Sequence, residues 1–123
     1  MDDKKIIIRE VLKKDLPLLA DYLSEVALPK YSSEKYIRRF NFWWLKNPAF
    51  SKDDSYGWII VDNFKKKQIK GFLGNIPVDY KIDGKVYHTV SASTWVVDPE
   101  YRKYSIYLYF SYLKQIKDFG VFC

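Results

Sequence analysis

Val96-Val97-Asp98-Pro99-Glu100-Tyr101-Arg102-Lys103-Tyr104-Ser105-Ile106-Tyr107-Leu108 is the segment from which the rest of the chain can be placed. It closes a long run, Val86 to Val97, rich in β-branched and small residues, which predicts a strand. Asp98-Pro99-Glu100 ends that strand, because proline has no N–H for a ladder and its fixed φ suits the first turn of a helix. Beyond it Ile106, Tyr109, Phe110, Leu113 and Ile116 recur at helical spacing until Asp118-Phe119-Gly120. The chain therefore passes from strand to helix through a turn. The first backbone N–H groups of such a helix, together with its dipole, can hold an anion.

Upstream, Asp83-Gly84 is a strong hairpin signal, since both positions tolerate positive φ, and it joins the strand to a preceding one over Ile69 to Tyr80. Gly71, Gly74 and Pro77 inside that strand suggest a bulge or an edge. A polar loop, Asn63 to Gln68, connects it to a strand over Tyr56 to Asp62. Before these lie two helices. The first starts where Asp15 can cap and Pro17 is tolerated, carries Leu16, Leu19, Ala20, Leu23, Val26 and Ala27 at helical spacing, and ends near Leu28. The second runs from Ser33, a candidate N-cap, to Lys46, where Asn47-Pro48 closes it. Its aromatics, Tyr36, Phe40, Trp43 and Trp44, read either as core or as the wall of a substrate site. Ile6 to Val11 gives the opening strand. The order is strand, helix, helix, three antiparallel strands, helix, and at Val121-Phe122-Cys123 the start of a further strand. The fold class is a mixed α+β sheet with helices.

With 123 residues, 48% of them hydrophobic and 19% aromatic, the chain fits a single domain spanning 1–123. The three-residue apolar stub at its end suggests that this domain is incomplete at the C-terminus. No apolar run approaches the ~20 residues that cross a bilayer, so no membrane partner is expected. The single cysteine, Cys123, excludes an internal disulfide and a cysteine-rich metal site, and with no secretory leader in view it points to the cytoplasm. The net charge of +6 favours anionic partners in general. It permits nucleic acid, but no nucleic-acid motif is present. Lys65-Lys66-Lys67 falls in a hairpin loop and reads as a solvated turn.

The stretch from Val97 to Leu108 resembles the acyl-CoA-binding motif of the GNAT superfamily. In that motif a strand ending in Val-x-Pro is followed by Arg or Gln, two residues, Gly, one residue, and Gly or Ala. The order of elements is similar too. The resemblance implies an acyl-CoA-dependent N-acyltransferase, or the cofactor-binding half of one, moving an acetyl or other acyl group from acyl-CoA to a small-molecule amine. It implies that Val96, Val97, Arg102, Lys103, Tyr104, Ser105, Ile106 and Tyr107 hold the cofactor, with pyrophosphate on backbone donors from Arg102 to Tyr107 and on the charge of Arg102. It also implies that the small polar residues of His88 to Val97 flank the pantetheine arm, with Thr89, Ser91, Ser93 and Trp95 on one face and His88, Val90, Ala92, Thr94 and Val96 on the other.

Ser105 and Tyr107 stand where the family has glycine and glycine or alanine. The sequence thus leaves a second reading, a GNAT-like binding or scaffold module without catalysis. Base candidates are Asp79, His88, Asp98 and Glu100, and none has a motif that assigns it the role. In the family the acid that protonates the leaving thiolate usually lies beyond Val121. No metal-ligand set appears. A homodimer, or completion by a further C-terminal segment, is the quaternary arrangement left open.

Overall fold

The computed structural model describes residues 5–65 and 68–119. Four strands, β1 (Ile6–Glu10), β2 (Gly57–Asp62), β3 (Gln68–Ile82) and β4 (Lys85–Val97), form one antiparallel sheet in the order 1-2-3-4. Helices α1 (Leu16–Val26) and α2 (Ser33–Phe40) cover one face, and α3 (Ser105–Phe119) covers the other. The strand expected at Val121-Phe122-Cys123 lies outside the described residues.

Alternation along β2 separates two cores. Ile59 and Val61 join Leu19, Leu23, Tyr36, Phe40, Trp44 and Phe72 under α1 and α2, while Ile60 joins Leu73, Val90, Tyr101, Tyr104, Leu108 and Tyr112 under α3. Two bulges shift this alternation. Lys70 is extra in β3, between the pairs Ile60↔Gly71 and Val61↔Ile69, so Ile69 and Phe72 face the same core. Thr94 is extra in β4, between Gly74↔Ser93 and Leu73↔Trp95, and its φ of 43° is in the left-handed region. A β-branched residue there is strained. The bulge overturns the face assignment expected of a regular strand. Val90, Trp95 and Val97 all lie on the α3 side, with Trp95 stacked on Tyr109 at 5.5 Å, while Val96 packs towards α1 and α2.

The helices also depart from the sequence pattern. The N-cap of α2 is Ser32, whose hydroxyl accepts from the Lys35 N–H at 3.2 Å, and not Ser33. Instead of continuing as α-helix to Lys46, the chain makes a π turn over Asn41–Leu45, closed by the Lys46 N–H donating to the Asn41 carbonyl at 2.7 Å. Asp15 does not cap α1 with its side chain. Its carboxylate takes a two-pronged contact from Arg9 at 2.7 and 2.9 Å and the Leu12 N–H at 2.7 Å, and the Arg9 hydrogen bonds hold its pKa below the usual carboxylate value. On α3 the buried residues facing the sheet are Leu108 and Tyr112; of the expected stripe, Tyr109 and Leu113 pack against the same core, while Ile106 and Phe110 are about half exposed. The side chain of Ile116 lies outside the described residues.

The hairpin between β3 and β4 forms as expected, with φ of 50° at Asp83 and 79° at Gly84. Gly57 is constrained differently. Its φ is 130°, and an added Cβ would sit 2.3 Å from the Leu73 carbonyl oxygen. Gly57→Ala is expected to cost about 3 kcal/mol or more, since neither the backbone angle nor the neighbouring strand can yield. Gly84→Asn, at a site open to solvent with an angle asparagine adopts, should cost no more than about 1 kcal/mol. Urea unfolding of the two variants measures the contrast.

Candidate functional site

The strand-to-helix turn is fixed from both faces of the sheet. On the α1 side, the Tyr22 hydroxyl donates to Asp98 Oδ1 at 2.8 Å, and the Lys70 ammonium lies 3.7 Å from Asp98 Oδ2. The Asp98 N–H donates to the carbonyl of the bulged Lys70 at 2.9 Å, so the bulge in β3 presents the acceptor that stops β4. Burial, and then donation to Asp98, push the Tyr22 phenol far above its ordinary pKa. On the α3 side, Tyr101 is fully buried and its hydroxyl donates to the buried Asp62 carboxylate at 2.5 Å. Pro99–Tyr104 wind as a 3-10 turn that runs straight into α3.

Beside this turn is a shallow recess of about 420 Å³ lined by Trp95, Val97, Arg102 and Ser105. The expected residues divide around it. Arg102 and Ser105 line it together with Val97, whereas Val96 packs into the α1/α2 core and Tyr104 is buried beneath α3. The Lys103 ammonium lies 5.1 Å from the centre of the Tyr104 ring. Ile106 is about half exposed. Tyr107 is directed to the opposite flank of α3, where it lines a separate recess with Ile8, Phe110, Ser111 and Lys114. The ring at the family's glycine-or-alanine position therefore does not enter the recess at Arg102.

The backbone donors are less open than the motif suggests. The Tyr101 N–H is taken by the Asp98 carbonyl at 2.8 Å, and the Ser105 N–H by the Arg102 carbonyl. What the recess offers an anion is the Arg102 guanidinium and the Ser105 hydroxyl. The adjoining edge of β4 carries the strained Thr94, which is left out of the ladder to β3. No strand pairs with that edge among the described residues. Next to Thr94, the Ser93 Oγ is buried and has no hydrogen-bond partner among the described residues.

Among the base candidates, His88 is held between two carboxylates, with Nδ1 2.7 Å from Asp79 Oδ1 and Nε2 2.9 Å from Asp54 Oδ2. Asp54 was missed in the sequence because it lies in a loop 34 residues before His88, with no motif to mark it. Burial alone would lower the imidazole pKa, but the hydrogen bonds to Asp54 and Asp79 and their charges outweigh it and raise the pKa above 6.5. This favours imidazolium, a poor base. Asp98 is committed to Tyr22 and Lys70. Among the described residues no group of three or more His, Cys, Asp or Glu side chains is placed to hold a metal, and no helix is long and apolar enough to cross a membrane.

No protein-family model matches the sequence, and no curated protein matches it. Solved structures do. The GNAT family N-acetyltransferase YhbS from Escherichia coli, in complex with CoA, superposes with a TM-score of 0.65 at 18% identity over 95% of this chain and 59% of that one. The chain has the GNAT acyltransferase fold. NAA60 of Arabidopsis thaliana, in complex with acetyl-CoA, gives 0.62 at 19% identity over 91% of this chain and 69% of that one. Saccharomyces cerevisiae N-myristoyltransferase with bound myristoyl-CoA gives 0.55 at 21% identity over 80% of this chain and 23% of that one. The chain thus spans about three fifths of the E. coli protein. The α+β class and the order strand, helix, helix, three strands, helix expected from the sequence are those of the described residues, whose four strands all pair antiparallel.

Two outcomes test the site as described. Tyr101→Phe removes the donor to a buried carboxylate and is expected to cost about 1.5–3 kcal/mol in urea unfolding. The second concerns pH. Because the folded state raises the His88 pKa, its contribution to stability is complete below the ordinary 6.5 and is lost as pH rises through the folded value. The stability gap between the wild type and His88→Ala should therefore narrow from mildly acidic to alkaline pH, as read by unfolding at each pH.

Proposed function

We propose that this chain carries the cofactor-facing part of an acyl-CoA-dependent N-acyltransferase that transfers an acetyl or other acyl group to an amine. The observation that supports it most is the juxtaposition, within a GNAT fold, of an open strand edge at the bulged Thr94 with the recess of Arg102 and Ser105. The two halves suit the two halves of a CoA thioester. A pantetheine arm is an extended chain of amides and can add to a strand edge through backbone hydrogen bonds. A pyrophosphate suits a guanidinium at a helix start, with a hydroxyl beside it.

In this reading Val97, Arg102 and Ser105 contact the cofactor, Lys103 adds charge from the same turn, and Val96 and Tyr104 hold the strand and turn from below. Ile106 and Tyr107 belong to the outer surface of α3. With the Ser105 N–H already used, the anion leans more on the side chains of Arg102 and Ser105. Backbone amides near Thr94, outside the ladder, can donate to the thioester carbonyl as negative charge develops on its oxygen during attack. The attacking amine must lose a proton. His88, with both ring nitrogens tied to the carboxylates of Asp79 and Asp54, is not the group that takes it. The acceptor is a small-molecule or peptide amine, and the single cysteine of the sequence suits the reducing cytoplasm.

The satisfied Ser105 N–H favours a second reading, a GNAT-like module that no longer takes CoA. The two differ in one titration. Acetyl-CoA at 100 times its dissociation constant should stabilise the full chain by about 2.7 kcal/mol, seen as a rise in Tm, with Arg102→Ala weakening the response at least tenfold. An unchanged Tm at millimolar acetyl-CoA would leave the second reading standing.

A further inference from the structure

The outer side of α2 carries a cluster that the acyl-transfer reading does not use. Lys35, Arg38 and Arg39 lie three and four residues apart, on neighbouring positions of one helical surface, where like charges repel. None of the three takes part in a salt bridge among the described residues. Glu34, one turn before Arg38, makes none with it. Instead the Lys35 ammonium and the Arg39 guanidinium crowd the same ring, 4.0 and 4.4 Å from the centre of Tyr31. The Nε of Arg39 is buried and has no acceptor among the described residues. A buried guanidinium donor left unfilled is costly, and such groups ordinarily find a partner.

These cations surround a recess of about 350 Å³ whose remaining walls are Phe42 and Trp43. The π turn at Asn41–Leu45 makes this wall, for it keeps Trp44 in the core and leaves Phe42 77% exposed beside the arginines. Three uncompensated cations and two aromatic side chains around one concavity match a ligand that is charged at one end and apolar at the other.

We propose that this recess binds a small soluble organic anion, a carboxylate or phosphate carried on an apolar body. The charged end meets Arg38 and Arg39, and the body lies against Phe42 and Trp43.

Phenyl phosphate, benzoate, inorganic phosphate and neutral benzyl alcohol, titrated into the isotopically labelled full chain and followed by amide chemical shifts, test it. Saturable shifts confined to Lys35–Trp43 are expected for phenyl phosphate and benzoate. Inorganic phosphate should bind at least tenfold more weakly than phenyl phosphate, and benzyl alcohol should not saturate. Arg38→Ala, at an exposed position with no structural partner, should weaken phenyl phosphate at least tenfold, and Arg39→Lys should weaken it as well by removing the planar fork. Arg102→Ala should leave these shifts unchanged, which separates this site from any CoA phosphate site. The proposal is overturned if phenyl phosphate does not saturate, if benzyl alcohol binds equally well, if Arg38→Ala has no effect, or if only phosphatidylserine vesicles perturb the helix.

Discussion

The extra residue in β4 is the constraint from which the functional end of the molecule follows. A regular strand of that length would send Val90 and Val97 to opposite faces, because the alternation has period two. Thr94, inserted in a left-handed conformation, resets the parity, so Val90, Trp95 and Val97 all face α3. Trp95 can then stack on Tyr109, and the first turns of α3 are drawn against the end of the strand. The strain of a β-branched residue at positive φ is offset by packing on both sides of it. The same insertion takes a backbone unit out of the ladder beside the recess of Arg102 and Ser105, so one local irregularity both docks the helix and leaves backbone polar groups outside the ladder.

A second element ties the two faces together. Asn75 is fully buried in β3, and each of its four polar groups has a partner. Its carbonyl accepts from Trp44 Nε1 at 2.8 Å, its N–H donates to the Tyr56 carbonyl at 3.1 Å, its amide nitrogen donates to the Ser55 carbonyl at 2.9 Å, and its amide oxygen accepts from Gln115 at 2.6 Å. The first of these comes from the α2 side and the last from α3. Apolar packing alone would let the helices slide on the sheet. A saturated polar hub penalises any slippage by the desolvation of four groups at once, and so fixes how α2 and α3 register on β3.

Much of this was legible in the residues. Asp83-Gly84 named its own turn, Pro99 ended its own strand, and the alternation of β2 and the order of elements were readable because each rests on local chemistry. The bulges were not, since a threonine in a run of Thr, Ser and Val carries no mark of positive φ, and Lys70 none of standing outside the register with β2. From that came the wrong face assignment in β4. The stripe of α3 was misread for a related reason: Tyr112 looks amphipathic, but here its ring is buried and its hydroxyl reaches the Val90 carbonyl at 3.4 Å, while Ile106 and Phe110 lie outside. At the site, the resemblance picked out Val96 and Val97 with the run from Arg102 to Tyr107, whereas a 3-10 turn and a helix distribute those residues among recess, core and outer surface. His88 could not be judged at all from its neighbours in sequence, because one of its two carboxylates arrives from a distant loop.

The groups that shape the turn are not the groups that a phosphate would touch. Asp98 is held by Tyr22 and Lys70, and Tyr101 by Asp62, and these contacts involve α1, β2 and β3 but neither Ser105 nor Tyr107. Glycine at the last two positions matters for how closely an anion approaches, not for whether strand, turn and helix form. Strand, turn and helix form here with Ser105 and Tyr107 at those positions, and the chain keeps a fold that superposes on YhbS at a TM-score of 0.65 with 18% identity. Retention of the fold and retention of a phosphate cradle would be separate constraints on such a sequence. The first is met by the buried Tyr101–Asp62 pair and the half-buried Tyr22–Asp98 pair. The second, in the reading proposed above, would rest on the Arg102 guanidinium and the Ser105 hydroxyl, which take no part in those contacts.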